Sequence, residues 1–133
     1  MKYLFFLVLI SVNLFAENEW TLIHKDSKIQ SSFFVKLGNF KMIDNKVRLW
    51  VMESFDNTQK AGSIEYNSLK SIIQVDCESK KLRHMAYSIY TEKMAEGSVI
   101  FSKGSSSSKW IKINPNTVNS AYMAIACQEA EMN

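Results

Sequence analysis

The feature that most constrains the fold is the alternation of side-chain character along much of the chain. In "KVRLWVME", Val47, Leu49 and Val51 share one parity, whereas Arg48 and Trp50 share the other. Successive side chains of a β-strand point to opposite faces, so this pattern predicts a strand with one buried face. Half-buried strands of this kind are typical of antiparallel sheets.

The same period recurs in other parts of the chain. The segments are "EWTLIHK", "SSFFVK", "NSLKSIIQVDC", "LRHMAYSIYTEK", "EGSVIFSKG" and "WIKI". The "DNK" of residues 44–46 is typical of a tight turn between two strands. A change of parity between His84 and Met85 predicts a β-bulge. We therefore expect an antiparallel sheet of about six strands.

The C-terminal segment has a different pattern. Val118, Tyr122 and Ile125 recur at helical spacing, which predicts an amphipathic helix. Asn114 is a candidate N-cap, followed by Pro115 at the first helical position. A helix with an apolar stripe needs a surface to pack on, and the sheet supplies one. The predicted fold class is α+β, with the helix packed on the sheet.

The N-terminus predicts export. Residues 1–16 combine Lys2, a run of apolar residues and Ala16 before the polar "ENE", as in a cleaved signal peptide. The alternative, an N-terminal core helix, lacks a polar face. Glu17 stands where a bacterial lipoprotein would carry its lipidated cysteine, so we expect an exported chain without a lipid anchor of its own. Residues 17–133 are long enough for one domain, and they contain no apolar run of membrane-spanning length.

The chain has two cysteines, Cys77 and Cys127. In an exported protein, such a pair predicts one disulfide bond. Free thiols and a metal site are the alternatives. His24 and His84 stand at no ligand spacing from either cysteine, which disfavours a metal site.

Composition and motifs argue against several classes of function. The formal charge of +3 falls to +2 without Lys2, too small a balance to indicate nucleic-acid binding. The sequence lacks a glycine-rich phosphate loop and a nucleophile elbow, and neither histidine has an obvious catalytic partner. We therefore expect a protein without catalytic residues, cofactor or bound metal.

Two features leave a binding function open. Lys80, Lys81, Arg83 and His84 form a compact basic patch directly after Cys77. This patch is interpreted either as a solvated turn or as a contact surface for an acidic polymer or protein segment. The second feature is the aromatic content, which exceeds what one face of a small sheet must bury. We expect most of these rings in the core, with an outward-facing Trp50 beside Arg48 as the alternative.

The order of several motifs resembles the bacterial surface-adhesin protein E family. "VRLW" leads to the acidic and aromatic "ESFD", and "EYNS" leads into "VDC" followed by "KKLR". "WIKINP" then introduces a final segment that ends in "AC". Each motif is weak alone, but the ordered set covers nearly the whole chain after the signal peptide, from about Trp20 to Cys127.

The resemblance implies both a fold and a function. The fold is an antiparallel sheet of about six strands with a C-terminal helix held to it by the cysteine pair. The function is that of a non-enzymatic adhesin, able to form a homodimer, whose partners are host extracellular-matrix or plasma proteins of the laminin and vitronectin class. The competing hypothesis is a soluble periplasmic protein with a structural or stress-associated role.

Overall fold

The computed structural model describes residues 20–38, 40–104 and 108–132. The predicted signal peptide and most of the serine run at 105–108 lie outside these ranges. No helix in the described ranges is both long and apolar enough to cross a bilayer.

The described chain contains eight strands, one 3-10 turn and one α-helix. In order they are β1 (Trp20–Asp26), β2 (Ser31–Lys36), β3 (Lys41–Ile43), β4 (Lys46–Ala61), β5 (Ile64–Asp76), β6 (Lys81–Tyr90), the 3-10 turn (Lys93–Ala95), β7 (Val99–Gly104), β8 (Ile111–Lys112) and α1 (Val118–Met132).

All strand pairs are antiparallel, and the strands form one sheet. Six strands lie side by side in the order β1-β2-β4-β5-β6-β7. The short β3 pairs with β4, and the short β8 pairs with β6. The predicted class is therefore confirmed, with six strands on the main path and two short additions. The predicted bulge is also present, because β6 shifts register between His84 and Ala86 opposite Ile73 and Ile72.

Two hairpin turns fix the register of the central strands. Asp44 and Asn45 both have positive φ, of 51° and 62°, as a two-residue type I′ turn requires. This turn joins β3 to β4 at the predicted position. A second turn, with Gly62 at φ 62°, joins β4 to β5 and makes this hairpin longer than the sequence pattern indicated.

The core lies between the helix and one face of the sheet. The odd-numbered residues of β4 and β5 supply the largest share of it. Its buried members are Phe33, Val35, Val47, Leu49, Val51, Ile73, Val75, Leu82, Ile113, Tyr122 and Ala126. Burying each larger aliphatic side chain contributes about 1.5–3 kcal/mol, so this layer provides the main stabilisation of the domain.

The helix begins later than the sequence predicted. It starts at Val118, and Thr117 rather than Asn114 precedes it. The Thr117 Oγ1 accepts a hydrogen bond from the Ser120 amide at 3.2 Å, and the Ser120 Oγ accepts one from the Thr117 amide at 3.0 Å. Asn116 has φ 61°, a left-handed conformation that interrupts the backbone before this cap. The assignment of Asn114 as N-cap was therefore wrong.

A disulfide bond joins Cys77 to Cys127, with a Cα–Cα distance of 5.8 Å. Cys77 opens the turn between β5 and β6, and Cys127 lies on the third turn of α1. The bond therefore attaches the helix to the sheet, as the sequence and the family resemblance predicted.

Candidate functional site

The face of the sheet opposite the helix carries large cationic and aromatic side chains. Strand register places the even-numbered residues of β2, β4 and β5 on this face, together with Trp20, Lys41, Arg83 and Tyr90. We call it the cation–aromatic face and define it by Trp20, Phe34, Lys36, Lys41, Arg48, Trp50, Lys70, Ile72, Arg83, Tyr90 and Trp110. It includes both arginines of the chain.

Cations on this face lie over aromatic rings. The Lys70 Nζ lies 4.9 Å from the Trp50 ring centroid and 5.5 Å from that of Tyr90. The Lys36 Nζ lies 5.5 Å from the centroid of the Trp20 ring. These distances are within the range of favourable cation–π contacts. The rings therefore hold the ammonium groups on the surface without neutralising their charge.

Arg83 and Trp110 form the same arrangement near β8. The guanidinium carbon of Arg83 is 4.6 Å from the Trp110 ring centroid. The Nε of Arg83 also donates a hydrogen bond of 2.9 Å to the Oε1 of Gln74, which is only 3% exposed. Gln74 thus satisfies a polar atom at the floor of the face and orients the arginine.

The cations that define this face form no ion pair in the described part of the chain. The ion pair found there, Lys60–Glu65, is exposed and distant in the β4–β5 hairpin. Asp76 shares the parity of the face but lies at its edge, opposite Lys46 and Lys81. Its pKa is lowered, first by the Ser79 amide of the following turn. The face therefore carries a surplus of positive charge around Arg48, Lys70 and Lys36.

A small cavity opens on this face beside β4. It has a volume of about 230 Å³, and Lys41, Arg48, Trp50 and Ile72 line it. Lys41 lies directly opposite Arg48, and Trp50 lies opposite Ile72. The cavity is next to the point where the partner of β4 changes from β2 to β3.

One end of the face is closed by the loop between β6 and β7. The buried Ser68 Oγ accepts a hydrogen bond from the Ala95 amide at 2.9 Å and donates one to the Glu92 carbonyl. The Ser54 Oγ accepts a hydrogen bond from the Met94 amide at 3.2 Å. These two serines on neighbouring strands thus hold the loop against the sheet.

The predicted basic patch does not lie on one surface. Lys81 and Arg83 share the parity of the cation–aromatic face, whereas His84 lies opposite Ile73, on the helix side of the sheet. Lys80 lies in the turn, with φ 56°. Arg83 and Lys81 are therefore near one another on one face, and His84 is separated from them. A contact role for this patch stays a prediction.

Most of the conspicuous aromatic rings lie outside the core, contrary to the expectation from sequence. Phe33 is a core residue, but Trp20, Trp50 and Trp110 are only half-buried. Their strand parity or their contacts place them on the face that the helix does not cover. The alternative of an outward-facing Trp50 beside Arg48 is confirmed.

A second cleft lies between the sheet and the start of the helix. It measures about 190 Å³, and its lining includes Glu53, Ser71, His84 and Tyr122. Burial raises the pKa of Glu53, although its Oε2 accepts a 2.8 Å hydrogen bond from the Ser31 hydroxyl. Burial, and then the charge of Glu53, raise the pKa of Tyr122.

Partial burial lowers the pKa of His84 at the same cleft, although much of its side chain is exposed. The three titratable groups thus favour their neutral forms here. The described residues contain no group of three metal-binding side chains.

Sequence reasoning identified Arg48, Trp50 and Arg83 individually but missed Lys36 and Lys70. Strand register places both lysines on the same side of the sheet as Trp50, and this relation is not visible in the sequence alone. Register is a tertiary property, so the lysines could be grouped with the arginines only after the strands were paired.

The architecture is that of an antiparallel sheet with a C-terminal helix, joined by one disulfide. The family model described as "Surface-adhesin protein E" matches residues 20–128. The chain therefore belongs to the surface-adhesin protein E family.

Solved structures of Haemophilus influenzae protein E share this fold. One crystal form matches with a TM-score of 0.60 at 12% identity, covering 81% of this chain and 87% of the other. A structure of protein E from non-typeable Haemophilus influenzae matches with a TM-score of 0.59 at 11% identity, covering 84% of this chain and 78% of the other. Comparison with curated proteins by sequence gave no match.

Proposed function

We propose that this protein is an exported, non-enzymatic adhesin that binds a host extracellular-matrix or plasma protein through its cation–aromatic face. Membership of the surface-adhesin protein E family supports the class of function. The observation that carries the choice of surface is the set of cations over rings that form no ion pair in the described chain.

The chemistry of the face suits protein recognition. Trp, Tyr and Arg are the residues most enriched at energetically important positions of protein interfaces. Here Trp50 and Arg83 are half-buried on the same face, and Lys70 lies between Trp50 and the buried Tyr90. The surplus of positive charge would attract an acidic partner and accelerate its association at low salt.

The proposal is tested by binding to immobilised laminin and vitronectin, measured by surface plasmon resonance over a range of salt concentrations. We expect saturable binding that weakens as salt rises. The double variant Lys36→Glu/Lys70→Glu should lose most of this binding. The control variant, Lys28→Glu/Lys103→Glu, makes the same change of charge elsewhere. Lys28 lies in an exposed turn, and Lys103 lies on the other side of the sheet. This control variant should bind nearly as well as the native protein.

Two outcomes would contradict the proposal. Equal loss in both double variants would show that net charge rather than this face matters. No binding to any matrix or plasma protein, combined with protection from protease on intact cells, would favour the periplasmic alternative. An adhesin should be cleaved under those conditions.

A further inference from the structure

We infer that Arg48, Lys41, Trp50 and Ile72 form a site for the carboxylate of a glutamate or aspartate side chain in an acidic segment of a partner protein. This inference rests on the proposed function, because it names the chemistry by which the cation–aromatic face recognises its partner. The main evidence is the environment of the Arg48 Nε.

The Nε of Arg48 is buried but has no hydrogen-bond acceptor in the described part of the chain, where it is the one buried side-chain nitrogen or oxygen in this condition. Leaving a buried donor unpaired is destabilising, and more so when the group is charged. Native proteins rarely keep such an atom without a reason. The comparable Nε of Arg83 on the same face is paired with Gln74.

The position of Lys41 adds to this cost. Lys41 lies directly across from Arg48 in the β3–β4 pair, and like charges at opposed positions destabilise a sheet. Neither side chain forms an ion pair with a described acidic residue. An anion in this cavity would offset both the unpaired donor and the repulsion between the two cations. It would accept a hydrogen bond from Arg48 and neutralise the charge of Lys41.

The volume of the cavity suits a single side chain. Its volume of about 230 Å³ is below the roughly 300–1,000 Å³ of clefts that enclose small-molecule ligands. The guanidinium can hold a carboxylate by two parallel hydrogen bonds, and Trp50 and Ile72 provide an apolar wall for the methylene groups. Lys70, whose Nζ is 4.9 Å from the Trp50 ring centroid, supplies a further positive charge nearby.

An acidic peptide explains these features better than a sulfated polysaccharide. A polysaccharide chain binds along a row of exposed cations, whereas the unpaired donor here is buried beside aromatic and aliphatic walls. Arg83 lies two strands from Arg48, and two strand spacings amount to about 10 Å. An extended segment covers this distance in about three residues, so a second acidic side chain can reach Arg83.

The test uses the Nε–H signals of the native protein in nuclear magnetic resonance. The chain has two arginines, so two signals are expected, and an Arg83→Lys variant assigns them. A synthetic peptide of alternating glutamate and serine should shift the Arg48 signal in a saturable way. Its glutamine analogue should not shift that signal.

Binding of the glutamate peptide is then measured by calorimetry. Arg48→Lys keeps the charge but cannot donate two parallel hydrogen bonds to a carboxylate. This variant should weaken binding about tenfold or more. Lys28→Gln removes one exposed charge away from the face and should change the affinity by less than about twofold. Thermal unfolding of both variants verifies that the fold is kept.

Three results would overturn the inference. Equal binding of the glutamine analogue would exclude carboxylate recognition. A heparin fragment that shifts the Arg48 signal at lower concentration than the peptide would identify a polysaccharide site. Peptide binding without any shift of the Arg48 signal would place the site elsewhere.

The test also separates this inference from the proposed function. Matrix-protein binding that is unchanged in Arg48→Lys would remove the carboxylate site and leave the adhesin proposal intact. Peptide binding at Arg48 without any binding to matrix proteins would keep the carboxylate site and contradict the adhesin proposal.

Discussion

The guanidinium of Arg83 stacks on Trp110, with 4.6 Å between the guanidinium carbon and the ring centroid. This contact joins β6 to the segment that leads into β8, and it covers the buried Gln74. We expect Trp110→Ala to lower the free energy of unfolding by about 1–2 kcal/mol, from the lost stacking and packing. Urea unfolding measures this change, and Trp110→Phe should recover part of it. Equal stability of Trp110→Ala and the native protein would contradict a structural role for the contact.

The disulfide should dominate the stability of the helix-to-sheet contact. Cys127→Ser should lower the free energy of unfolding by about 2–5 kcal/mol, the usual range for a small secreted domain. The bond closes a loop across a sequence separation of 50, so the chain gains less entropy on unfolding in the native protein than in the variant. Cys77→Ser and the double variant should show the same loss, measured by urea unfolding. An additional loss in the double variant would mean that the cysteines act independently.

Two substitutions test the attachment of the β6–β7 loop. Ser68→Ala leaves the amide of Ala95 and the carbonyl of Glu92 without their partner, which should cost about 1–3 kcal/mol. Gly97→Ala should cost more, because Gly97 has φ 78° and a Cβ there would lie 2.2 Å from the Thr91 Oγ1. Hydrogen exchange of residues 91–98 measures loop opening. Ser63→Ala, in the β4–β5 turn, is the matched control and should leave this exchange unchanged.

The pH dependence of stability should reflect Glu53. Its pKa in the folded state is raised above the ordinary 4.5, so its contribution is fully present below that value and is lost as pH rises through the folded pKa. Glu53→Gln removes the charged form, and it should be more stable than the native protein near neutral pH but not near pH 4. Tyr122, His84 and Ser31 surround this carboxyl and are unchanged in the variant. Unfolding curves at several pH values test this, and a constant difference between the two proteins would contradict it.

His84 gives an effect of opposite sign, which begins as pH falls below about 6.5. Its folded pKa lies below the ordinary 6.5, so the unfolded chain binds the proton more readily. Stability should therefore decline as pH falls from about 6.5 through the folded pKa, and His84→Gln should remove that decline. Similar pH profiles for native protein and variant would show that the imidazole is not responsible.

Local sequence patterns were sufficient to predict those strands and turns whose residues all favour the same local conformation. The parity of Val47, Leu49 and Val51 placed these side chains in the core, because one face of β4 packs toward the helix. The turn at Asp44 and Asn45 was predictable because few residue pairs adopt positive φ at both positions.

The remaining features depend on contacts that sequence alone does not contain. The strand alternation fades in the polar stretch after Phe55, so the extension of β4 to Ala61 was missed. The rings of Trp20 and Trp50 were expected in the core because they are large and apolar. The helix covers only one face of the sheet, and strand parity places these rings on the other.

The position of Lys70 between two rings has a consequence for the thermodynamics of recognition. A free lysine loses considerable rotamer entropy when a partner immobilises it, at a cost of about 0.5–1.5 kcal/mol per side chain. Trp50 and Tyr90 already restrict the Lys70 ammonium in the unbound protein. Part of the rotamer entropy of Lys70 is therefore lost during folding rather than when a partner binds. The ammonium group is preorganised for binding.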